Sequence, residues 1–195
     1  LAEACRGKKQ CRILVLGDSL SDFERGHNYL DKLAFFLNQA MPGYLSFRNA
    51  GVGGDYITRV VQRLDGIAGG APAFRQEQYD ELWRDTYERI FIFLGQNDTR
   101  THSSDHFQQP RVSPEEQERA YRKAIAAIRT RSRARIVLIS SVLPDNARIA
   151  VLEQRATRMG RPFARFGEPA RLDAFNAVLR KLAAELDCDY IDLYG

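Results

Sequence analysis

The chain has 195 residues, of which 44% are hydrophobic and 28% are charged, and its formal net charge is +4. This length suits a single globular domain, and no apolar run approaches the ~20 residues of a membrane-spanning helix. The three cysteines form neither a Cys-x-x-Cys motif nor a cluster with histidine, so the sequence predicts no metal site and no disulfide framework.

Residues 1–11 form a predicted amino-terminal extension to one domain that spans residues 12–195. The extension contains no apolar stretch typical of an export signal, and the chain begins with Leu1 rather than Met. We therefore expect either an exported protein whose signal was removed or a sequence cut from a longer one. Cys5 and Cys11 would pair in an oxidising compartment, but two isolated thiols are the simpler expectation.

The densest basic stretch places arginines at positions 129, 131, 133 and 135, near a predicted helix end. Cations at that end oppose the helix dipole favourably, and no aromatic side chains alternate with them as in many nucleic-acid surfaces. We therefore expect a solvated arginine face and no nucleic-acid partner.

Short apolar runs alternate with stretches of helical periodicity, a pattern typical of a parallel sheet covered by helices. The predicted strands are Ile13–Leu16, Tyr44–Arg48, Ile90–Leu94, Ile136–Ile139 and Tyr190–Leu193. The predicted helices are Tyr29–Ala40, Ile57–Leu64, Pro114–Ile128 and Leu172–Leu186. This order predicts an α/β fold, a three-layer α/β/α sandwich with a mainly parallel five-stranded sheet.

Two side chains are predicted to cap helices: Asp55 before the second helix and Ser113 before the third, where Pro114 occupies the first turn. Two longer segments, Thr99–Val112 and Pro144–Pro169, lack clear periodicity. Connections of this length in a compact domain are usually functional or carry local structure.

Polar and glycine-rich residues follow each of the first three predicted strands. In an open parallel sheet, ligands bind beyond the carboxyl ends of the strands, so we expect these segments to meet at one edge. They are Gly17–Leu20, Asn49–Asp55 and Gly95–Asp98. Acyl transfer requires a nucleophile such as the Ser19 hydroxyl and preorganised donors for the developing oxyanion. The backbone N–H groups of Ser19 and Gly54 and the side-chain amide of Asn97 are suitable donors.

Each of these motifs has another interpretation when it is taken alone. Gly-Asp-Ser and Gly-Gln-Asn-Asp are also ordinary turns after a strand. The glycine turn at Gly51–Gly54 is typical of a flavodoxin-like nucleotide- or phosphate-binding module, except that Tyr56 occupies the position of its third glycine. The conjunction of three motifs at three strand ends favours hydrolysis.

In this order and spacing the three blocks resemble the GDSL (SGNH) hydrolase family, and the resemblance covers nearly the whole chain. It implies hydrolysis of a small-molecule carboxylic ester, with Ser19 as the nucleophile and without a metal or organic cofactor. It also implies an oxyanion hole formed by Ser19, Gly54 and Asn97, supported by the neighbouring Asp18 and Asp98. The family includes lipases, arylesterases, thioesterases and carbohydrate deacetylases. The arginine-rich irregular segments favour a small acyl group on a polar carrier, such as an acetylated sugar.

The sequence departs from the family at the DxxH motif, which follows the fifth strand there and is absent here. Asp189 and Asp192 have its spacing without the histidine, and we expect them to be ordinary strand-end residues. The three histidines are expected to be polar loop residues: His27, His102 and His106. The catalytic Asp and His are therefore expected beyond Gly195. The alternative is a catalytically inactive SGNH-like domain that binds a ligand or partner.

Overall fold

The computed structural model describes residues 10–25, 28–66 and 75–195, and five strands within them form one sheet. The strands along the chain are β1 (Cys11–Gly17), β2 (Leu45–Asn49), β3 (Arg89–Phe93), β4 (Thr101–His102), β5 (Arg135–Ile139), β6 (Ala164–Arg165) and β7 (Asp189–Ile191). The sheet has the order β2-β1-β3-β5-β7, and every neighbouring pair is parallel. The five predicted strands are confirmed, with small shifts at their ends.

Helices cover both faces of this sheet. They are α1 (Tyr29–Ala40), α2 (Ile57–Leu64), α3 (Gln76–Glu81), α4 (Pro114–Arg129), α5 (Asn146–Arg158) and α6 (Pro169–Glu185). On one face, Leu14 and Leu16 of β1 belong to the large core that α2, α4 and α6 complete. On the other face, Ile13 and Val15 pack with Leu30 of α1. The predicted three-layer α/β/α sandwich is therefore confirmed, and burial on both faces explains why the strands read as continuous apolar runs.

One of the two predicted helix caps is correct. The Ser113 hydroxyl accepts a hydrogen bond from the Glu116 N–H at 3.2 Å, and Pro114 begins α4 as expected. Asp55 does not cap α2. Its carboxylate lies 2.6 Å from Nε of Arg63, and the first N–H of α2, that of Ile57, donates instead to Oδ1 of Asp98 at 2.9 Å.

The two segments without periodicity carry local structure. They meet in a small antiparallel ribbon, in which Thr101 of β4 lies opposite Arg165 of β6. The second segment also contains α5, which has no buried residue. Because none of its side chains enters the core, its sequence shows no apolar stripe by which it could be predicted.

The described residues bear on two expectations: the absence of a membrane-spanning helix and the state of the cysteines. None of the helices in the described ranges is long and apolar enough to cross a membrane. Cys11 and Cys188 are free thiols, whereas Cys5 lies outside the described residues.

Candidate active site

The sheet order places the ends of three strands side by side, because β1 lies between β2 and β3. The loops that follow are joined by hydrogen bonds: the Val52 N–H donates to the Gly17 carbonyl at 3.0 Å, and the Asn49 amide donates to the Ser21 carbonyl. The structure therefore brings the three predicted blocks to one edge of the sheet.

Ser19 is half-buried and lines a cavity of about 540 Å³ whose surface is mostly apolar. The apolar part of the lining comes from Leu20, Tyr29, Phe93, Ile139, Val142 and Leu193. Leu193 follows β7, and its N–H donates to the Ser140 hydroxyl at 2.7 Å, which holds this end of the chain beside the cavity. The cavity can therefore receive an apolar group next to the Ser19 hydroxyl.

Gly54 has a backbone φ of +82°, in the left-handed region that favours glycine, while a Cβ at this position would meet no atom within 4 Å. Its conformation, and not a close approach by a neighbour, accounts for the glycine. Among the described residues, none accepts a hydrogen bond from the N–H of Ser19 or of Gly54. Both amides are therefore available to an anion.

Asn97 is buried and ties the other two blocks together through its side-chain amide. Its Nδ2 donates to the Asp55 carbonyl at 3.1 Å and to Oδ2 of Asp18 at 3.3 Å. Oδ1 of Asp18 accepts from the Leu20 N–H at 2.9 Å, so this carboxylate also fixes the turn that follows Ser19. The loops that carry Ser19, Gly54 and Asn97 are thus joined by hydrogen bonds of the Asn97 and Asp18 side chains.

Two carboxyl groups of these loops are buried. Burial, together with the smaller effect of the nearby Asp18 charge, raises the pKa of Asp98 to about 7, against the hydrogen bond from the Ile57 N–H that lowers it. Burial likewise raises the pKa of Asp18 to about 6, against hydrogen bonds from Leu20 and Asn97 that lower it. Oδ2 of Asp98 is buried and has no hydrogen-bond partner among the described residues, which is consistent with a carboxyl group that holds its proton near neutral pH.

A buried ion pair that the sequence analysis missed supports the glycine turn. Oδ2 of Asp22 accepts from the Gly53 N–H at 2.7 Å, and Oδ1 of Asp22 lies 3.0 Å from Nη1 of Arg75. Arg75 also donates to the Gly51 carbonyl at 3.1 Å and pairs with Glu24 at 2.6 Å. The pairing joins residues 53 positions apart, so no local pattern could have indicated it.

The described histidines and the late carboxylates do not line the cavity beside Ser19. His27 lies outside the described residues, His102 is in β4, and His106 is an exposed residue with a left-handed backbone. Asp189 binds Arg135 and Arg89, and Asp192 binds Arg180, as expected of strand-end residues. Within the described part of the chain, no group of three or more His, Cys, Asp or Glu side chains is arranged to hold a metal ion.

The sequence matches the model of the GDSL-like lipase/acylhydrolase family over residues 15–195. The chain belongs to this family. It is accordingly a carboxylic ester hydrolase by membership, and its fold agrees with that assignment. Comparison with curated protein sequences finds no match.

Solved structures share the fold over most of both chains. LAE5, an α/β hydrolase from the metagenome of Lake Arreo in Spain, is 18% identical, with a TM-score of 0.63 over 95% of this chain and 78% of that chain. AlinE4, an SGNH-hydrolase family esterase, is 20% identical, with a TM-score of 0.56 over 94% and 76%. A catalytic variant of Axe2, an acetylxylan esterase from Geobacillus stearothermophilus, is 15% identical, with a TM-score of 0.64 over 96% and 78%.

The Asp98→Asn variant should melt at a higher temperature than the wild type at alkaline pH. The folded-state pKa of about 7 lies above the ordinary value of 3.8 for an aspartic acid. The stability gained from the bound proton is therefore complete below the ordinary pKa and is lost as the pH rises through the folded-state pKa. Asparagine stays neutral and keeps an oxygen for the Ile57 N–H. Thermal unfolding between about pH 4 and about pH 8 should show a gain that grows with pH. No gain at the alkaline end would contradict the buried, protonated carboxyl.

Proposed function

We propose that this ester hydrolase acts through a covalent acyl-enzyme intermediate on Ser19. The Ser19 oxygen attacks the ester carbonyl carbon, the alcohol leaves, and water then releases the acid from the serine. The observation that carries the proposal is that Ser19 lines a mostly apolar cavity and that its own N–H and that of Gly54 donate to no acceptor among the described residues. An acyl group in the cavity would present its carbonyl oxygen to those donors.

The proposed oxyanion hole consists of the N–H groups of Ser19 and Gly54 and the amide of Asn97. One Asn97 N–H donates to the Asp55 carbonyl at 3.1 Å, and the other donates to Asp18 at 3.3 Å. In the proposal, the second N–H exchanges its longer bond to Asp18 for one to the oxyanion. Preorganised donors of this kind stabilise the transition state because their orientation costs nothing at the moment of reaction. The Asp22–Arg75 pair supports this arrangement by engaging the Gly53 N–H, which leaves that of Gly54 for the substrate.

A serine hydroxyl is a weak nucleophile until a base accepts its proton. Neither His102 nor His106 lines the cavity beside Ser19. We propose that the base is none of His27, His102 and His106 but the histidine of a DxxH motif like that of the family, which residues 1–195 lack. The proximity of Leu193 supports this, because the chain after β7 already reaches the cavity.

The proposed substrate is a small carboxylic ester with an apolar acyl group. The volume and lining of the cavity support this class, since apolar pockets of a few hundred cubic ångströms bind groups of this kind. The similarity to Axe2, an acetylxylan esterase, supports acetylated carbohydrates as the second candidate class. Relative kcat/KM values for esters of increasing acyl length distinguish the two, because an acetyl-specific site loses activity as the acyl chain grows.

Ser19 should form a single covalent adduct with a fluorophosphonate probe. Intact-mass spectrometry would detect the adduct in the wild type and in a Ser104→Ala control, which removes an exposed hydroxyl from the turn that follows β4. The adduct should be absent from Ser19→Ala. An adduct that persists in Ser19→Ala would show that another residue is the nucleophile.

Residues 1–195 alone should hydrolyse p-nitrophenyl acetate slowly, and added imidazole should accelerate the reaction. The cavity beside Ser19 has room for a small base, and loss of a triad member still leaves roughly 10³–10⁴-fold catalysis over water. Ser19→Ala should show no acceleration by imidazole beyond that of buffer. Fast hydrolysis without imidazole would mean that the base is one of His27, His102 and His106, which single alanine substitutions would identify.

Asn97→Ala should lower kcat by roughly 100- to 1,000-fold with little change in KM, because the proposed hydrogen bond strengthens only in the transition state. Asn38→Ala, on the exposed side of α1, is the matched control and should retain wild-type kcat. Steady-state kinetics on a neutral ester measures both parameters. A change confined to KM would assign Asn97 to ground-state binding.

A further inference from the structure

A group of arginines that does not line the apolar cavity surrounds Tyr56. Tyr56 comes two residues after Gly54, and Arg59 lies in the first turn of α2. Arg100 comes three residues after Asn97, and the Arg111 N–H donates to the Arg100 carbonyl at 2.9 Å. The cluster, hereafter the arginine rim, consists of Arg59, Arg100 and Arg111.

Contacts with Tyr56 and neighbouring rings hold the rim. The guanidinium carbon of Arg111 lies 4.8 Å from the centre of the Tyr56 ring, and that of Arg59 lies 5.2 Å from it. Nη1 of Arg111 lies 3.5 Å from the Tyr56 hydroxyl. Arg100 lies over the Phe166 ring at 5.5 Å. Stacking orients the planar groups while leaving hydrogen-bond donors at their edges.

The rim carries more positive charge than the described residues around it neutralise. Among those residues, no carboxylate lies within ion-pair distance of Arg100 or Arg111. Nε of Arg100 is buried and has no acceptor in the described part of the chain. The carboxylate of Asp55, 3.9 Å from Arg59, is shared with Arg63. Burial, followed by the charges of Arg111 and Arg59, lowers the pKa of Arg100, although Tyr56 opposes this.

We propose that the arginine rim is a subsite for an anionic group, a carboxylate or a phosphate, on the alcohol part of the ester substrate. The guanidinium fork matches both anions in a bidentate manner. The placement on the substrate rests on the proposed function: the cavity beside Ser19 takes the acyl group, and no residue of the rim lines that cavity. The alcohol part is placed toward Gly54 and Asn97, because Tyr56 follows Gly54 by two positions and Arg100 follows Asn97 by three.

The first test is anion binding, which requires no catalysis. Inorganic phosphate, and separately sodium acetate, is titrated against the full-length protein during thermal unfolding, with sodium chloride at equal ionic strength as reference. At least one of these anions should raise the melting temperature of the wild type and of the control Arg131→Gln. Arg131 follows the carboxyl end of α4, whereas Arg111 precedes its amino end, and the Arg131 guanidinium donates to the Ala127 carbonyl of that helix. The increase should disappear in Arg100→Gln and in Arg111→Gln.

We do not expect Arg100→Gln or Arg111→Gln to lose the anion effect merely because the variant is unfolded. Removing one of several mutually repelling charges should leave the melting temperature without anion at or above that of the wild type. Arg111 is exposed, so Arg111→Gln retains the core even if Arg100→Gln does not. Absence of any anion effect in the wild type, or an equal effect in wild type and Arg111→Gln, would overturn the proposal.

The second test compares acetate esters of phenols whose para substituent is either anionic or neutral. The kcat/KM for 4-acetoxybenzoate or 4-acetoxyphenyl phosphate should exceed that for the neutral 4-acetoxybenzamide by roughly ten-fold, mainly through KM. Salt should reduce this preference, and Arg100→Gln and Arg111→Gln should remove it. Comparison of the two anionic esters shows whether the subsite prefers a carboxylate or a phosphate. Equal kcat/KM values, or a preference that persists in both variants, would overturn the proposal. If no ester is hydrolysed, the proposed function fails and the anion titration alone decides the subsite.

Discussion

The carboxamide of Asn97 joins the loops that follow β1, β2 and β3, and the remainder of the site depends on this connection. Its two donated hydrogen bonds reach the Asp18 carboxylate and the Asp55 carbonyl. The neighbouring Asp98 extends the link by capping α2. Such a junction is possible only because β1 lies between β2 and β3, so that residues distant in sequence arrive at the same edge. One buried amide therefore fixes the backbone that would surround a reacting ester.

Charge is distributed unevenly across this edge. Carboxyl groups lie inside, at Asp18, Asp98 and Asp22, whereas the arginine rim lies outside around Tyr56. The interior carboxyls hold backbone N–H groups, and two of them have raised pKa values because burial disfavours their charged forms. The positive charges of the rim favour the approach of anions. Carboxyl groups thus order the loops, and the anion subsite that we propose is formed by groups of the opposite charge.

The strands and the site edge could be predicted from the sequence because their signals are local. A strand buried on both faces is a continuous apolar run, and the residues after it are polar or glycine. The cap of α2 could not be predicted, because Asp98 competes with the nearer Asp55 only after the sheet has formed. The Asp22–Arg75 pair and the arginine rim also escaped prediction, since each assembles residues from separate segments. The α2 cap, the Asp22–Arg75 pair and the arginine rim all depend on tertiary contacts, which the spacing of residues in the sequence does not indicate.

The α5 region is attached through the ribbon of β4 and β6 and does not contribute to the core, which affects how this family can diversify. Since α5 contributes no buried side chain, substitutions along it alter the outer surface without a cavity or strain in the core. The ribbon nevertheless anchors the segment beside the loop that carries Arg100 and Arg111. Evolution, or a protein engineer, can therefore exchange α5 for a helix or loop of different shape and charge while the sheet and its strand-end loops remain unchanged. This segment is the natural position for grafting new selectivity onto the scaffold.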